Sequence, residues 1–203
     1  MNKINKIVLI RPGQYPEGLI VPLGLLYLAS YIKQKRPDIE IIIIDAALKD
    51  YGPEEIAEKV KSINPEIVGL TGLHLMTKDI TDTAMHIRKA LPSTIIIAGG
   101  AVVSSNYEQL LLEKSINFGV IGEGEKTFYE IIKAIEAEEE ISKIEGLVYK
   151  NNTGAIIRTK EREMLGNIDE IPFPAYNLIS VEEYFTSRKR NTQSSVYISK
   201  RNL

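Results

Sequence analysis

The sequence predicts a three-layer α/β fold built on an open, parallel, five-stranded sheet of strand order 2-1-3-4-5, with a C-terminal extension. Three observations predict it. Short apolar runs alternate with helix-patterned stretches five times over roughly the first 137 residues, the signature of a parallel sheet carrying helices on both faces. One of those runs, 39–44, is almost wholly Ile, as in strands covered on both sides. Right-handed crossovers leave few topologies. In the 2-1-3-4-5 order the switch point lies between the first and third strands, where ligands bind at the carboxyl edge.

Residues 6–10 (KIVLI) are the first strand. The loop 11–21 (RPGQYPEGLIV) is long for a connection that usually takes about 2–6 residues, which favours ligand contact by residues such as Pro12. Pro22 stands where a helix can open, and 23–36 follows with Leu23, Leu25, Leu26, Leu28, Ala29 and Ile32 on nearly every side. Such a helix is buried on more than one face. The second strand, 39–44, ends in Asp45, and 53–63 is a helix with Ile56, Val60 and Ile63 on one stripe. The third strand, 67–71 (IVGLT), closes at Thr71-Gly72. Helix 77–91 turns Ile80, Ala84, Ile87 and Leu91 inward, and the fourth strand, 94–98, stops at Gly99-Gly100. Ser104 or Ser105 is placed to cap a helix reaching about Lys114. The fifth strand, 118–121, passes through Gly122-Glu123-Gly124-Glu125 into a helix ending near Ala137, with Phe128, Ile131, Ile132 and Ile135 inward.

Beyond Ala137 the pattern changes. Glu138-Glu139-Glu140 is polar, 146–149 and 155–159 read as a hairpin around 151–154, and 169–174 (DEIPFP) is held extended by its two prolines. Residues 181–185 form a short helix, 187–193 are basic and polar, and 195–199 (SVYIS) look like a new strand. The expected division is a binding domain over 1–138, a hairpin and linker over 139–194, and the start of a truncated further domain over 195–203.

Bulk properties exclude several classes. The chain has 203 residues, 44% hydrophobic and 26% charged, with a net charge of -2. No concentrated basic surface points to nucleic acid. With no cysteine, disulfides, thiolate metal sites and iron–sulfur ligation within these residues are excluded. No apolar run approaches the ~20 residues of a membrane helix, and residues 1–6 are too polar for a secretion signal. A cytosolic protein is expected.

The strongest candidate site is Thr71 with Gly72 and Leu73, facing Gly99-Gly100. A small hydroxyl beside side-chain-free backbone lets a flat or bulky group approach the sheet edge. The run 122–127 (GEGEKT) fails the P-loop pattern because Glu125 separates Gly124 from Lys126. Acids in a first helical turn suit the helix dipole; they repel phosphate but accept bonds from hydroxyl or amide groups. Asp45 caps or hydrogen-bonds nearby backbone more readily than it serves a ligand. His74, next to the crevice, is a weak candidate for metal ligation or proton donation, and His86 lies off the apolar stripe of its helix. No Ser/His/Asp set, paired-His zinc motif or calcium loop stands out, so the chain shows no self-contained catalytic apparatus.

Taken together, these stretches resemble the cobalamin-binding domain that precedes the catalytic domain in cobalamin-dependent radical S-adenosylmethionine enzymes. Residues 22–29 (PLGLLYLA) are similar to the family's first helix, P-x-G-x-x-x-L-A. Residues 68–73 (VGLTGL) resemble its S/T-x-L segment, 98–100 (AGG) its G-G segment, and 120–128 (VIGEGEKTF) its V-x-G-E-G-E-x-T-F. Residues 144–149 (IEGLVY) resemble its I-x-G-L-x-Y hairpin, and 169–176 (DEIPFPAY) the linker to the radical domain. The resemblance covers nearly the whole chain.

It implies a flavodoxin-like or Rossmann-like fold holding cobalamin at the carboxyl edge, with the nucleotide tail running between the Thr71 and Gly99-Gly100 loops. The implied contacts are Pro12, Gly24, Asp45, Thr71, Gly72, Leu73, Gly99, Gly100, Gly122, Glu123 and Gly124. It also implies a radical S-adenosylmethionine domain in cis. That domain would carry S-adenosylmethionine and a [4Fe–4S] cluster, neither of them bound by these residues, and serve a methyltransferase or a cyclase resembling the anaerobic magnesium-protoporphyrin ester cyclase. Cobalamin folds of the methionine-synthase kind carry D-x-H-x-x-G. The stretch matched to it here, 45–50 (DAALKD), keeps Asp45 but has Ala47 for the His and Asp50 for the Gly. Cobalamin would therefore sit base-off without the usual lower His. The residues alone leave other readings open. A flavin or nucleotide domain would need a Ser/Thr-rich first loop, which 11–21 lacks. A receiver would need acids after the first strand and a phosphoacceptor Asp after the third, where Arg11 and Thr71 stand. A domain that only scaffolds the catalytic domain is the remaining alternative.

Overall fold

The computed structural model describes residues 3–13, 20–112, 114–164, 166 and 170–188. The end of the basic stretch and the strand expected at 195–199 lie outside them, as do Asp169 and the middle of the first loop. A seven-stranded sheet of order β2-β1-β3-β4-β5-β6-β7 forms the middle layer. Its five parallel strands are β1 (Lys6–Arg11), β2 (Glu40–Asp45), β3 (Ile67–Thr71), β4 (Ile95–Gly99) and β5 (Phe118–Val120), paired in the predicted order 2-1-3-4-5.

The sheet has seven strands rather than five because the hairpin joins it. β6 (Leu147–Lys150) runs antiparallel beside β5, and β7 (Ile156–Arg158) beside β6. A three-residue strand at an open edge would leave its backbone groups unpaired; the hairpin covers them. Gly119 permits the approach: a Cβ there would stand 2.6 Å from Val148 Cγ2.

Alternation along each strand divides the core into two layers. Ile7, Leu9, Ile67 and Ile97 pack under α1 (Leu23–Lys35) and α6 (Gly124–Ala137). Val8, Ile10, Val68, Leu70, Ile96 and Ala98 pack under α3 (Pro53–Ile63), α4 (Thr77–Ala90) and α5 (Ala101–Leu112). α1 is buried on two sides, as its sequence predicts. Leu25, Ala29 and Ile32 face the sheet, whereas Leu26 packs with Val21 and Tyr184. Tyr184 belongs to α7 (Val181–Arg188).

Two local expectations change. α5 begins at Ala101, with no serine cap. Its first N–H groups are taken by loop carbonyls, Val102 N–H by Gly72 at 3.1 Å and Val103 N–H by Gly100 at 3.0 Å, and the Ser105 hydroxyl instead donates back to the Ala101 carbonyl at 2.9 Å. The stretch after Asp45 is a short helix, α2 (Ala46–Lys49), closed by Asp50 in the left-handed region at φ 55°.

A crevice at the carboxyl edge of the sheet

The parallel strands deliver their carboxyl ends to one edge, and α1 and α6 begin there. Between these helices and the sheet lies a cavity of about 210 Å³. Its floor is apolar: Leu9, Leu25, Leu28, Ile97, Val120 and Phe128. Gly69 makes room for that floor in the middle of β3. A Cβ on it would come within 2.8 Å of Leu9 Cδ2 and 3.3 Å of Phe128 Cε2.

Glycine shapes the mouth in two ways. At Gly100, with φ 83°, an added Cβ would press 2.6 Å from Thr71 Oγ1, so the β3 and β4 loops touch only because both the space and the positive φ suit glycine. At Gly24, Gly99 and Gly122 an added Cβ would meet nothing within 4 Å. Side chains at these positions would enter space that is now open. An apolar cavity of about 150 Å³ is enough to take up benzene, so this crevice has room for a larger flat aromatic group, entered past side-chain-free backbone.

The polar groups stand at the mouth. Thr71 is half-buried, and Glu123 and Glu125 line the wall from the start of α6. Burial pushes the Glu125 carboxyl up from its ordinary value; the neighbouring Glu123 adds to this, while N–H groups of the first turn oppose it. Thr127 in the same turn has a structural task. Fully buried, it donates to the Glu145 carbonyl at 3.2 Å and accepts from Arg162 Nε at 2.7 Å, strapping the chain after β7 onto α6.

Gly24, Thr71, Gly99, Gly100, Gly122, Glu123 and Gly124 meet at this crevice. The other expected contacts stand apart from its lining. Gly72 is buried behind it, where a Cβ would be 3.0 Å from Ile80 Cδ1. Leu73 is exposed beside the mouth, and Pro12 is buried at the end of β1. Exposed His74 opens a 3₁₀ turn (His74–Met76) and offers its carbonyl to Asn106 Nδ2 and Thr77 Oγ1. Among the described residues no group of three or more His, Asp or Glu gathers as a metal site.

Asp45 stands in a buried network instead. Its carboxylate takes both arms of the Arg11 guanidinium, one at 2.9 Å, and the Tyr184 hydroxyl at 2.5 Å, while Arg11 also reaches the Ile20 carbonyl at 2.6 Å. No side-chain cap bond runs from Asp45 to α2. The stretch 45–50 follows an edge strand and does not line the crevice.

Sequence reasoning missed the apolar floor and Gly69. A glycine inside an otherwise β-branched buried strand was the available signal for close packing; the floor residues read only as core.

The protein-family model described as "B12 binding domain" matches residues 14–132. An uncharacterized methyltransferase of Pyrococcus horikoshii is 34% identical over 164 residues, covering 80% of this chain and 35% of that protein. The anaerobic magnesium-protoporphyrin IX monomethyl ester cyclase of Synechocystis sp. is 26% identical, covering 85% of this chain and 34% of its own length. The chain therefore spans about a third of these relatives. Among solved structures, the cobalamin-dependent S-adenosylmethionine radical enzyme OxsB with aqua-cobalamin and S-adenosylmethionine bound aligns at TM-score 0.75 and 21% identity, over 91% of this chain and 26% of that one. The radical S-adenosylmethionine methyltransferase TsrM from Kitasatospora setae, with cobalamin and a [4Fe-4S] cluster bound, aligns at 0.68 and 19%, over 84% of this chain and 31% of that one. Both likenesses are of fold. Among the described residues no helix is long and apolar enough to cross a membrane. With more than half of its residues matched by the family model, the chain belongs to the B12-binding domain family.

Proposed function

We propose that this chain is the cobalamin-holding module of a longer radical S-adenosylmethionine enzyme, and that it binds the cofactor base-off with the nucleotide tail in the crevice. The observation that carries this reading is the cavity itself: an apolar floor sized for a flat aromatic base, reached past Gly24, Gly99 and Gly122. The Thr71 hydroxyl stands where it can bond the tail, and Leu9, Leu25, Leu28 and Phe128 would sheath the base from water. The stretch 45–50 supplies no histidine, so no lower ligand comes from it.

When bound, cobalamin supplies methyl-transfer or redox chemistry, which belongs to the cofactor. This chain's residues hold and orient it toward the catalytic domain in cis, where S-adenosylmethionine and the [4Fe-4S] cluster would be carried. The fold likeness to OxsB and TsrM and the identity with the methyltransferase and cyclase relatives support that setting.

The test is gel filtration of the chain after incubation with hydroxocobalamin. Near-stoichiometric retention by the wild type, and at least a tenfold weaker retention by Gly99→Leu with unchanged circular dichroism, is expected. No retention at high micromolar cobalamin would refute binding by this chain.

A further inference from the structure

Glu125 is set in a way that neither packing nor the helix dipole requires. It lies on α6 three residues before Phe128, hence one turn nearer the mouth on the same face, and both line the crevice. Phe128 reaches the floor at Gly69. The carboxylate of Glu125 is largely taken out of water, and the groups that favour its charge are N–H groups of its own turn, at Gly124 and Glu125. Among the described residues no Lys, Arg or His forms an ion pair with it. Exposed Glu123, in the same segment, already supplies a negative charge at the helix start. A half-buried carboxylate without a cation is costly, and such groups gather where a ligand will meet them.

The chemistry of the crevice narrows what that ligand group is. Two carboxylates at the mouth are poor partners for the tail's phosphodiester, so the group that meets Glu125 is another part of the tail. The apolar floor suits a flat base. An ionised carboxylate accepts hydrogen bonds and donates none, so its partner carries O–H or N–H. We propose that Glu125 accepts hydrogen bonds from the ribose hydroxyls of the nucleotide tail, and so makes the crevice selective for cobamides that carry that tail. The inference rests on the placement of the tail proposed above. Glu125 is then a specificity-determining contact, charged in the loaded state and half-desolvated in advance.

The experiment compares hydroxocobalamin with aquacobinamide, which keeps the corrin and cobalt but lacks the nucleotide. Equilibrium retention of each by the wild-type 203-residue chain, Glu125→Gln and Glu125→Ala is measured alongside circular dichroism and melting. The wild type is expected to prefer cobalamin. Glu125→Ala should weaken cobalamin binding about tenfold or more, the scale of a hydrogen bond to a charged group. Glu125→Gln should weaken it less, and cobinamide binding should not change in either variant. Loss of a buried charge does not unfold the domain, so melting should not fall. An equal loss for both ligands, or no loss for cobalamin, would overturn the role of Glu125 while leaving the tail in the crevice. Equal binding of both ligands by the wild type would overturn the tail placement itself.

Discussion

At the scale of single residues, charge burial governs what can be measured. The Glu125 carboxyl is pushed up by burial, so the folded chain takes up this proton at higher pH than the unfolded chain does. The sign follows by linkage: in the window above the ordinary carboxylate range, this group's contribution to stability rises as pH falls and is lost as pH rises through its folded value. Ligand-free Glu125→Gln should therefore melt above the wild type at pH 7, with the gap closing toward pH 4.5; thermal melts at the two pH values check it. Asp45 has partners that Glu125 lacks: its carboxylate pairs with Arg11 and accepts from the Tyr184 hydroxyl. Burial and the Asp45 carboxylate hold the Tyr184 phenol well above its ordinary value, so it stays a donor throughout the useful pH range. Asp45→Ala removes the carboxylate that matches the charge of the buried Arg11 guanidinium and should cost about 3–5 kcal/mol. Tyr184→Phe removes one hydrogen bond to a charged acceptor and should cost about 1.5–3 kcal/mol. Urea unfolding of both variants checks the ranking.

At the scale of elements, two segments that read as appendages belong to the fold. The hairpin extends the sheet, and Arg162 beyond it straps onto Thr127 at the start of α6. Thr127→Val would leave Arg162 Nε without this acceptor; a loss of about 1–2 kcal/mol is expected in urea unfolding. The segment 172–184 lies along α1, where Ser30 donates to the Pro172 carbonyl at 3.3 Å, Ala175 N–H to Leu26 at 3.2 Å, and Tyr184 is buried to 1%. These features were illegible in the sequence for a physical reason. Strand existence and order follow from local periodicity and chain handedness, which single runs such as 39–44 and 67–71 display. The Arg11–Asp45–Tyr184 network joins residues 34 and 139 positions apart, and no local pattern announces it. The mouth of the crevice was legible because glycines at strand ends mark it: Gly99, Gly100 and Gly122. Its floor was not, since Leu9, Leu25 and Phe128 obey the same apolar period whether they border a cavity or fill a core.

At the scale of the molecule, the sheet presents one edge to a ligand, and the division of the core decides where that ligand goes. The core under α3, α4 and α5 is packed by β-branched, leucine and alanine side chains, with Val102 and Val103 seated behind the β4 loop, and the hollow on that face is bordered by Asp50, Tyr51 and Asp79. The face under α1 and α6 is closed at its base by Ile131, Ile132 and Ile144 but opened at the carboxyl edge by Gly24, Gly99 and Gly122. Glycines at the mouth open this cavity, and its apolar floor is the observation on which the proposed base-off placement of the tail rests. The most direct test is the electron paramagnetic resonance spectrum of cob(II)alamin bound to the chain. The account predicts cobalt hyperfine lines without nitrogen splitting, because the tail's base is in the crevice and no histidine from 45–50 reaches the metal. Nitrogen splitting on those lines would mean that the base or a histidine is on cobalt, and would contradict base-off binding without a nitrogen ligand below the metal.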